Sequence, residues 1–187
     1  MNDILSNFDK VKQLVSYDGL NLDFVADKYK DNNAIVAAAI KSNANALRFA
    51  SERLRCDQHI VRMAVSRDGT TIRFAGNDLI DMDLGIQFAA IKNNPTAIKF
   101  LSNKCRDSFF VMHYVVLHDP DLYVFASARL RNTYNFCKYT IAQDPKTLRH
   151  MPFSMRDMDE VVYAAYIQNK EVICFASDRI KRQVCVV

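Results

Sequence analysis

Apolar residues recur along the chain at intervals of about 25 residues, which is much longer than the period of a single helix or strand. We call one set of these recurring residues, which includes Phe49, the main series. Further apolar residues lie two positions before and five positions after each of its members, as Leu47 and Leu54 do around Phe49. These offsets fall on one side of a helix, so each repeat is predicted to contain a first helix with this residue in the core. The series consists of Phe24, Phe49, Phe74, Phe100, Phe125, His150 and Phe175.

A second apolar series predicts a second helix in each repeat. Its members are mostly small and follow an apolar pair such as Ile60 and Val61; they are Ala39, Ala64, Ala90, Val115, Thr140 and Ala165. An Asp or Asn stands before each predicted helix, where its side-chain oxygen is expected to cap the free N–H groups. The expected caps of the first helices are Asp18, Asn43, Asp68, Asn94, Asp119, Asp144 and Asn169. Those of the second helices are Asp31, Asp57, Asp81, Asp107, Asn132 and Asp157.

The repeats predict an all-α fold, a single α-solenoid domain over residues 1–187 with about six to seven helical hairpins of roughly 25 residues. A half-unit is expected over about residues 1–17 and the repeats over about 18–187. One hairpin of short helices cannot bury its apolar face alone, whereas stacked copies bury a continuous core. The sixth repeat departs from the pattern, and Pro152 is expected to bend or shorten its first helix. His150 in this repeat is either a tolerated core residue or part of a local pocket.

The stretch LRFASERLRCDQHIVRMAV carries a resemblance to a known family through its elements Phe49–Ser51, Leu54–Arg55 and Val61–Ala64. It resembles the helical repeats called domain of unknown function 4116, over nearly the whole chain. The turn at Asn94–Thr96 is more distantly similar to leucine-rich-repeat variants, which implies a right-handed helical solenoid. The family occurs in bacteria, protists and large viruses and includes secreted effectors of intracellular bacteria. The resemblance therefore implies a bacterial effector or a viral or host-interaction protein, and it supplies no catalytic residue.

Composition and charge narrow the class of protein. Half of the residues are hydrophobic, with only four Gly and four Pro, which favours helices around a long core. The net charge of +4 is mild and permits an acidic partner without requiring one. No signal-peptide pattern and no membrane-spanning apolar run is evident. The five cysteines are expected to be reduced thiols, so the predicted location is cytoplasmic, or the host cytosol for a secreted effector.

The sequence contains no motif for catalysis, cofactor binding or metal binding. The four histidines form neither an HExxH pattern nor a zinc-ligand spacing. Cys137 and His113 are the best candidates for a nucleophile and its base, because both fall on second helices of adjacent repeats. The favoured interpretation is a buried thiol and a groove histidine, since no third orienting group is evident. The protein is therefore predicted not to be an enzyme, with no catalytic, cofactor or metal site.

Basic residues recur at two positions of the repeat. They lie one residue before and six residues after each member of the main series. These two positions are seven residues apart and hence on the same helical face. Two interpretations remain open: cations that stabilise helix ends, or a stripe that binds nucleic acid or phosphoinositides. The residues concerned are Arg48, Arg73, Lys99 and Arg149 at the first position, and Lys30, Arg55, Arg106, Arg131, Arg156 and Lys181 at the second.

Tyrosines gather in the C-terminal half of the chain, among several arginines. Tyrosine and arginine are enriched in the hot spots of protein interfaces. The first functional hypothesis is therefore a non-enzymatic scaffold that binds an unidentified protein between about Tyr114 and Arg156, and nucleic-acid or phosphoinositide binding is the second. The candidate partner-binding residues are Tyr134, Tyr139, Tyr163, Arg129, Arg131, Lys138, Arg149 and Arg156.

Overall fold

A computed structural model describes residues 7–184 of the chain. These residues are mostly helical and include no strand, so the predicted all-α fold is confirmed. The chain groups into two compact units, Met1–Ser102 and Asn103–Val187. A single solenoid domain with six to seven repeats stays a prediction, and the first six residues of the expected N-terminal half-unit lie outside the described part.

The N-terminal unit, unit 1, is built from long α-helices, 3₁₀ helices and short α-helices in regular alternation. Each long helix packs against the next and against the 3₁₀ helices beside it. The elements are α1 Phe8–Tyr17, η1 Gly19–Phe24, α2 Asp27–Lys30, α3 Asn33–Ser42, η2 Ala44–Phe49, α4 Glu52–Arg55, α5 Gln58–Arg67, η3 Gly69–Phe74, α6 Asn77–Met82, α7 Leu84–Asn93 and η4 Pro95–Phe100.

The C-terminal unit, unit 2, continues the same alternation of elements. Its long helices α9, α11 and α13 pack side by side in that order. The elements are α8 Asn103–Arg106, α9 Phe109–His118, η5 Pro120–Phe125, α10 Ala128–Arg131, α11 Tyr134–Gln143, η6 Pro145–His150, α12 Phe153–Arg156, α13 Asp159–Tyr166, η7 Lys170–Phe175 and α14 Asp178–Val184.

Each repeat contains three helices rather than the predicted two, because the first predicted helix is divided. A six-residue 3₁₀ helix is followed by an extended residue such as Ala50 (ψ 156°) and then by a short α-helix. Ser51 causes the break: its N–H donates to the carbonyl of Lys30 in the preceding repeat (2.9 Å). Its hydroxyl oxygen accepts from the N–H of Leu54 (3.3 Å), which caps the short helix. The break therefore creates a backbone hydrogen bond between repeats.

The phenylalanines of the main series are not core residues, contrary to the sequence prediction. Phe24 is 71% exposed and Phe100 is 37% exposed, and Phe74 is half-buried. A 3₁₀ helix has about three residues per turn, and its core side is occupied by the residue two before the phenylalanine. At that position Leu47 and Ile72 are completely buried. The phenylalanines, each at the end of a 3₁₀ helix, line its partly exposed edge instead.

The Asp and Asn residues predicted to cap the first helices do so, although the helices they cap are 3₁₀ helices. Asp68, for example, accepts from the N–H of Thr70 (2.9 Å) and also ends α5. The second set of predicted caps is mostly wrong. Asp57 caps α5 by accepting from the N–H of Ile60 (2.9 Å), but α3 is capped by Asn32. The other long helices begin one or two residues later than the spacing suggested.

Three of the aspartates that were predicted to cap long helices, but do not, form a recurring contact between repeats. We call this contact the inter-repeat latch. In each latch a serine hydroxyl and an arginine guanidinium of one repeat donate to the aspartate of the preceding repeat. The Nε atoms of the arginines lie 2.9–3.0 Å from these carboxylates. The three latches are Asp31 with Ser51 and Arg53, Asp107 with Ser127 and Arg129, and Asp157 with Ser177 and Arg179.

The latches are expected to make stability sensitive to acid. Hydrogen bonds from Arg129 and Ser127 hold the pKa of Asp107 below its ordinary value of 3.8. Because this pKa is lower in the folded than in the unfolded chain, the stabilisation is complete above about pH 5 and is lost as the pH falls through the folded value. We expect Asp107→Asn to lose less stability than the parent between about pH 5 and pH 2 in urea melts.

The matched control for this prediction is Asp178→Asn, since the side chain of Asp178 is 88% exposed and its ion pair within residues 7–184 is with Lys181 at 3.5 Å. It should keep the acid dependence of the parent. An Asp107→Asn variant with the same acid dependence as the parent would show that the latch contributes nothing to stability.

Candidate protein-interaction face

The three long helices of unit 2 bury one side and expose an unusually apolar one. The sequence of α9, FFVMHYVVLH, contains no Lys, Arg, Asp or Glu. Its residues Met112, Val115 and Val116 are buried, whereas Phe110 is 87% exposed and Leu117 is 50% exposed. A helix that is hydrophobic all round normally has both sides covered. The exposed side of α9 is therefore a candidate contact surface.

Exposed apolar side chains also lie on the other long helices of unit 2, and we call these residues together the aromatic face. Tyr163 on α13 is 66% exposed, and Ile167 just beyond this helix is 64% exposed. Contiguous apolar patches on a soluble protein commonly mark interaction sites. The aromatic face comprises Phe109, Phe110, His113, Tyr114, Leu117, Tyr134, Lys138, Tyr139, Tyr163 and Ile167.

Stacked rings hold the centre of the aromatic face in place. The rings of His113 on α9 and Tyr139 on α11 are stacked with centroids 3.8 Å apart. The centroid of the Phe109 ring lies 5.9 Å from that of His113 and 5.9 Å from that of the buried Phe136. The hydroxyl of Tyr139 is buried without a hydrogen-bond partner among the described residues, and burial raises the pKa of Tyr139. The side chains that join α9 to α11 are thus ordered by packing before any partner binds.

Four predicted partner-binding residues lie on this face. Tyr139 and Tyr134 are half-buried, and Lys138 and Tyr163 are exposed. The ammonium group of Lys138 lies 5.8 Å from the centroid of the Tyr134 ring. The tyrosines thus lie on α11 and α13, two long helices that pack against each other.

The predicted arginines lie elsewhere, on the 3₁₀ and short helices. Arg129 forms a latch with Asp107. Arg156 donates from Nε to the carbonyl of Met151 (3.1 Å) and from Nη1 to that of Phe175 (3.2 Å). The Nε of Arg131 is buried and has no hydrogen-bond partner within residues 7–184. Because the second basic series is half-buried in this way, it does not form a common exposed stripe with the first series.

The irregular sixth repeat is less distorted than the sequence suggested. Pro152 has an extended conformation (ψ 158°) directly before α12, at the position that Ser51 occupies in its own repeat. The chain is extended there in any case, so Pro152 bends no helix. His150 is not a core residue: its Nε2 accepts a hydrogen bond from Nε of Arg149 (2.7 Å). Arg149 also forms an ion pair with Asp121 (2.8 Å).

Comparison with known families connects this repeat to one description. The family model called Domain of unknown function (DUF4116) matches residues 7–52 and 35–80. The chain resembles DUF4116. The two overlapping matches confirm the predicted resemblance over the N-terminal part of the chain. No curated protein and no solved structure matches the chain. The name DUF4116 assigns no activity, so the function has to be argued from the surfaces of the repeats.

The proposed nucleophile of this DUF4116-like chain is placed unfavourably for catalysis. The thiol of Cys137 donates to the carbonyl of Arg131 (3.0 Å), and burial raises the pKa of Cys137, so it stays protonated at neutral pH. His113 stacks on Tyr139 instead of binding the thiol. Within the described residues no cluster of three His, Cys, Asp or Glu side chains is suited to a metal ion. Between residues 7 and 184 no helix has the length and apolar character needed to span a bilayer.

Sequence reasoning missed Phe109, Phe110 and Leu117, the most apolar part of the face. Tyrosine and arginine, which dominate interface hot spots, point to other positions of the chain. The missing signal was the complete lack of charge in α9, whereas the equivalent α5 carries Arg62 and Arg67 on its outer side.

Proposed function

We propose that this protein is a non-enzymatic helical-repeat scaffold that binds another protein through the aromatic face of unit 2. The observation that carries this proposal is the exposure of Phe110 (87%) and Leu117 (50%) on α9 and of Tyr163 (66%) on α13, two helices that both pack against α11. Water contact with these side chains is unfavourable, and burying apolar surface contributes about 25 cal/mol per Å². A protein partner that covers them gains this free energy.

The ordered rings favour binding by a preformed surface. The stack of His113 on Tyr139 and the contact of Phe109 with Phe136 restrict these side chains in the free protein. Less side-chain entropy is then lost when a partner binds. Lys138 and Tyr134, on the middle helix α11, provide polar groups within the face, and interfaces carry hydrogen bonds as well as apolar contacts.

The cellular setting is also part of the proposal. The cysteines Cys56, Cys105, Cys137 and Cys174 are free thiols, which supports a reducing compartment such as the cytoplasm. For a secreted effector this would be the cytosol of the host, and the partner would be a host protein.

A second function, nucleic-acid or phosphoinositide binding, is favoured by one feature of unit 1. Arg48 and Arg73 are exposed and have no ion-pair partner among the described residues. Their guanidinium groups lie 4.4 Å from the ring of Phe49 and 4.6 Å from that of Phe74. Cations next to accessible aromatic rings suit phosphate binding together with base stacking.

The two functions predict different sensitive residues. We expect Phe110→Ser combined with Leu117→Ser to weaken binding of a captured partner protein about 100-fold or more. The melting temperature should change little, because both side chains are at least half exposed. The measurement is affinity capture from lysate, followed by titration of the purified partner with the parent and the variant.

The matched control is Arg48→Glu combined with Arg73→Glu, which changes the exposed edge of unit 1 and should leave partner binding intact. The opposite pattern, with binding lost in the control and kept in the α9 variant, would exclude the aromatic face. If binding also weakened steeply as salt rises, a phosphate-bearing ligand would be indicated.

A further inference from the structure

A groove in unit 2 lies apart from Phe110 and Leu117, the side chains changed in the test above, but it shares Tyr163 with the aromatic face. It is formed by α13, η7 and α14, and encloses about 320 Å³. The lining is largely apolar and includes Val162, Tyr166, Ile173, Ile180 and Val184. Asp159 and Glu160 lie at its acidic edge.

The preceding repeat shows what normally fills such a groove. Ile141 and Leu148 are the counterparts of Tyr166 and Ile173, and both are completely buried. They belong to α11 and η6, and α13 packs against both of these elements. In the last repeat, Tyr166 and Ile173 are only half-buried. No helix in the described part of the chain covers them as α13 covers their counterparts.

We propose that this groove binds an amphipathic α-helix of a partner protein, which takes the place that a long helix takes in the other repeats. The inference rests on the proposed protein-binding function, but it uses a groove that shares only Tyr163 with the aromatic face, and it specifies the partner. The partner helix should carry an adjacent apolar pair with a small residue three positions after the second of them. This is the pattern of the long helices themselves, as in Ile60, Val61 and Ala64 of α5, all of which are buried.

A second folded copy of this protein does not offer such a helix. Its helices from α3 to α13 already bury this apolar stripe within their own units. The outer side of α1 carries Lys12, Gln13 and Ser16, all exposed and polar. The geometry therefore fits a helix that a second folded copy does not supply.

The charges at the edge favour a basic helix. Asp159 is already paired with Arg179 (3.2 Å), whereas Glu160 has no ion-pair partner within residues 7–184. A Lys or Arg at one end of the partner helix would compensate this charge and would help to set its orientation.

A defined peptide tests this inference with the protein of residues 1–187. The probe is a fluorescent peptide with the sequence of α5, Gln58–Arg67, cross-linked between positions 62 and 66. Both positions face solvent in α5, and the cross-link stabilises a helix that is otherwise too short to form in water. We expect saturable binding by fluorescence anisotropy. Ile173→Asp in the protein, or Val61→Asp in the peptide, should weaken it about 30-fold or more.

Controls separate this groove from the aromatic face and from misfolding. Phe110→Ser with Leu117→Ser should bind the peptide as the parent does, so the face and the groove can fail independently. Tyr166→Asp, on a different element of the groove, repeats the test in case Ile173→Asp has an altered circular dichroism spectrum. Absence of peptide binding to the parent, or equal binding by both groove variants, would overturn the proposal. So would self-association of the parent that Ile173→Asp abolishes in sedimentation, because the occupant would then be a second copy.

Discussion

Leu47→Ala is expected to lower the free energy of unfolding by about 2–5 kcal/mol, among the largest effects of any single substitution in this chain. Leu47 is completely buried in η2, and both α3 and α5 pack against this helix. Removal of the side chain would leave a cavity between elements of adjacent repeats. Since each of these helices is also held by its other neighbours, the cavity cannot close easily, and the lost packing adds to the lost hydrophobic burial.

The matched comparison is Phe24→Ala, which removes a larger side chain at a position that is 71% exposed. It should cost less than about 1 kcal/mol, as surface substitutions usually do. Urea denaturation followed by circular dichroism measures both values. A larger loss for Phe24 than for Leu47 would restore the original assignment of the phenylalanines to the core and contradict the 3₁₀ helices.

The period of the chain could be predicted from sequence, but the shape of the first helix could not. The positions of Leu47, Phe49 and Leu54 are compatible with one α-helix as well as with a 3₁₀ helix followed by a separate turn. The difference is decided by Ser51, whose N–H bonds to the preceding repeat (2.9 Å). This partner is distant in sequence, so helical periodicity does not reveal it. A serine inside a predicted helix was the available signal, because serine favours helix N-caps over helix interiors.

The candidate site was predicted only in part, for a related reason. Tyr139 and Tyr163 lie on the face because they are on long helices, which the spacing identified correctly. Arg129 and Arg156 have their positions fixed by Asp107 and by the carbonyl of Phe175, each about twenty residues away in sequence. Such bonds depend on how one repeat packs on the next, and composition alone does not show whether an arginine is used in this way or is available to a partner.

Gly69→Ala is expected to destabilise unit 1 by about 3 kcal/mol, although it adds only a methyl group. Gly69 begins η3, and its N–H donates to the side-chain oxygen of Asn93 at the end of α7 (2.7 Å). A Cβ on Gly69 would lie 2.1 Å from the carbonyl oxygen of Ala90. This oxygen belongs to the backbone of α7 and already accepts from the N–H of Asn94 (2.9 Å), so it cannot move aside alone. The helix α7 would have to shift away from η3.

The control for this prediction is Gly85, which is exposed and lies in α7, the helix whose backbone Gly69 contacts. A Cβ there would meet only side-chain atoms, Oδ1 of Asp83 at 3.1 Å and Nη2 of Arg62 at 3.3 Å. Gly85→Ala should therefore change the stability much less than Gly69→Ala, because only side-chain atoms have to adjust. A large fall of the urea midpoint for Gly69→Ala and a small change for Gly85→Ala are the expected result. If Gly69→Ala were as stable as the parent, η3 and α7 would not be in the close backbone contact that joins these neighbouring repeats.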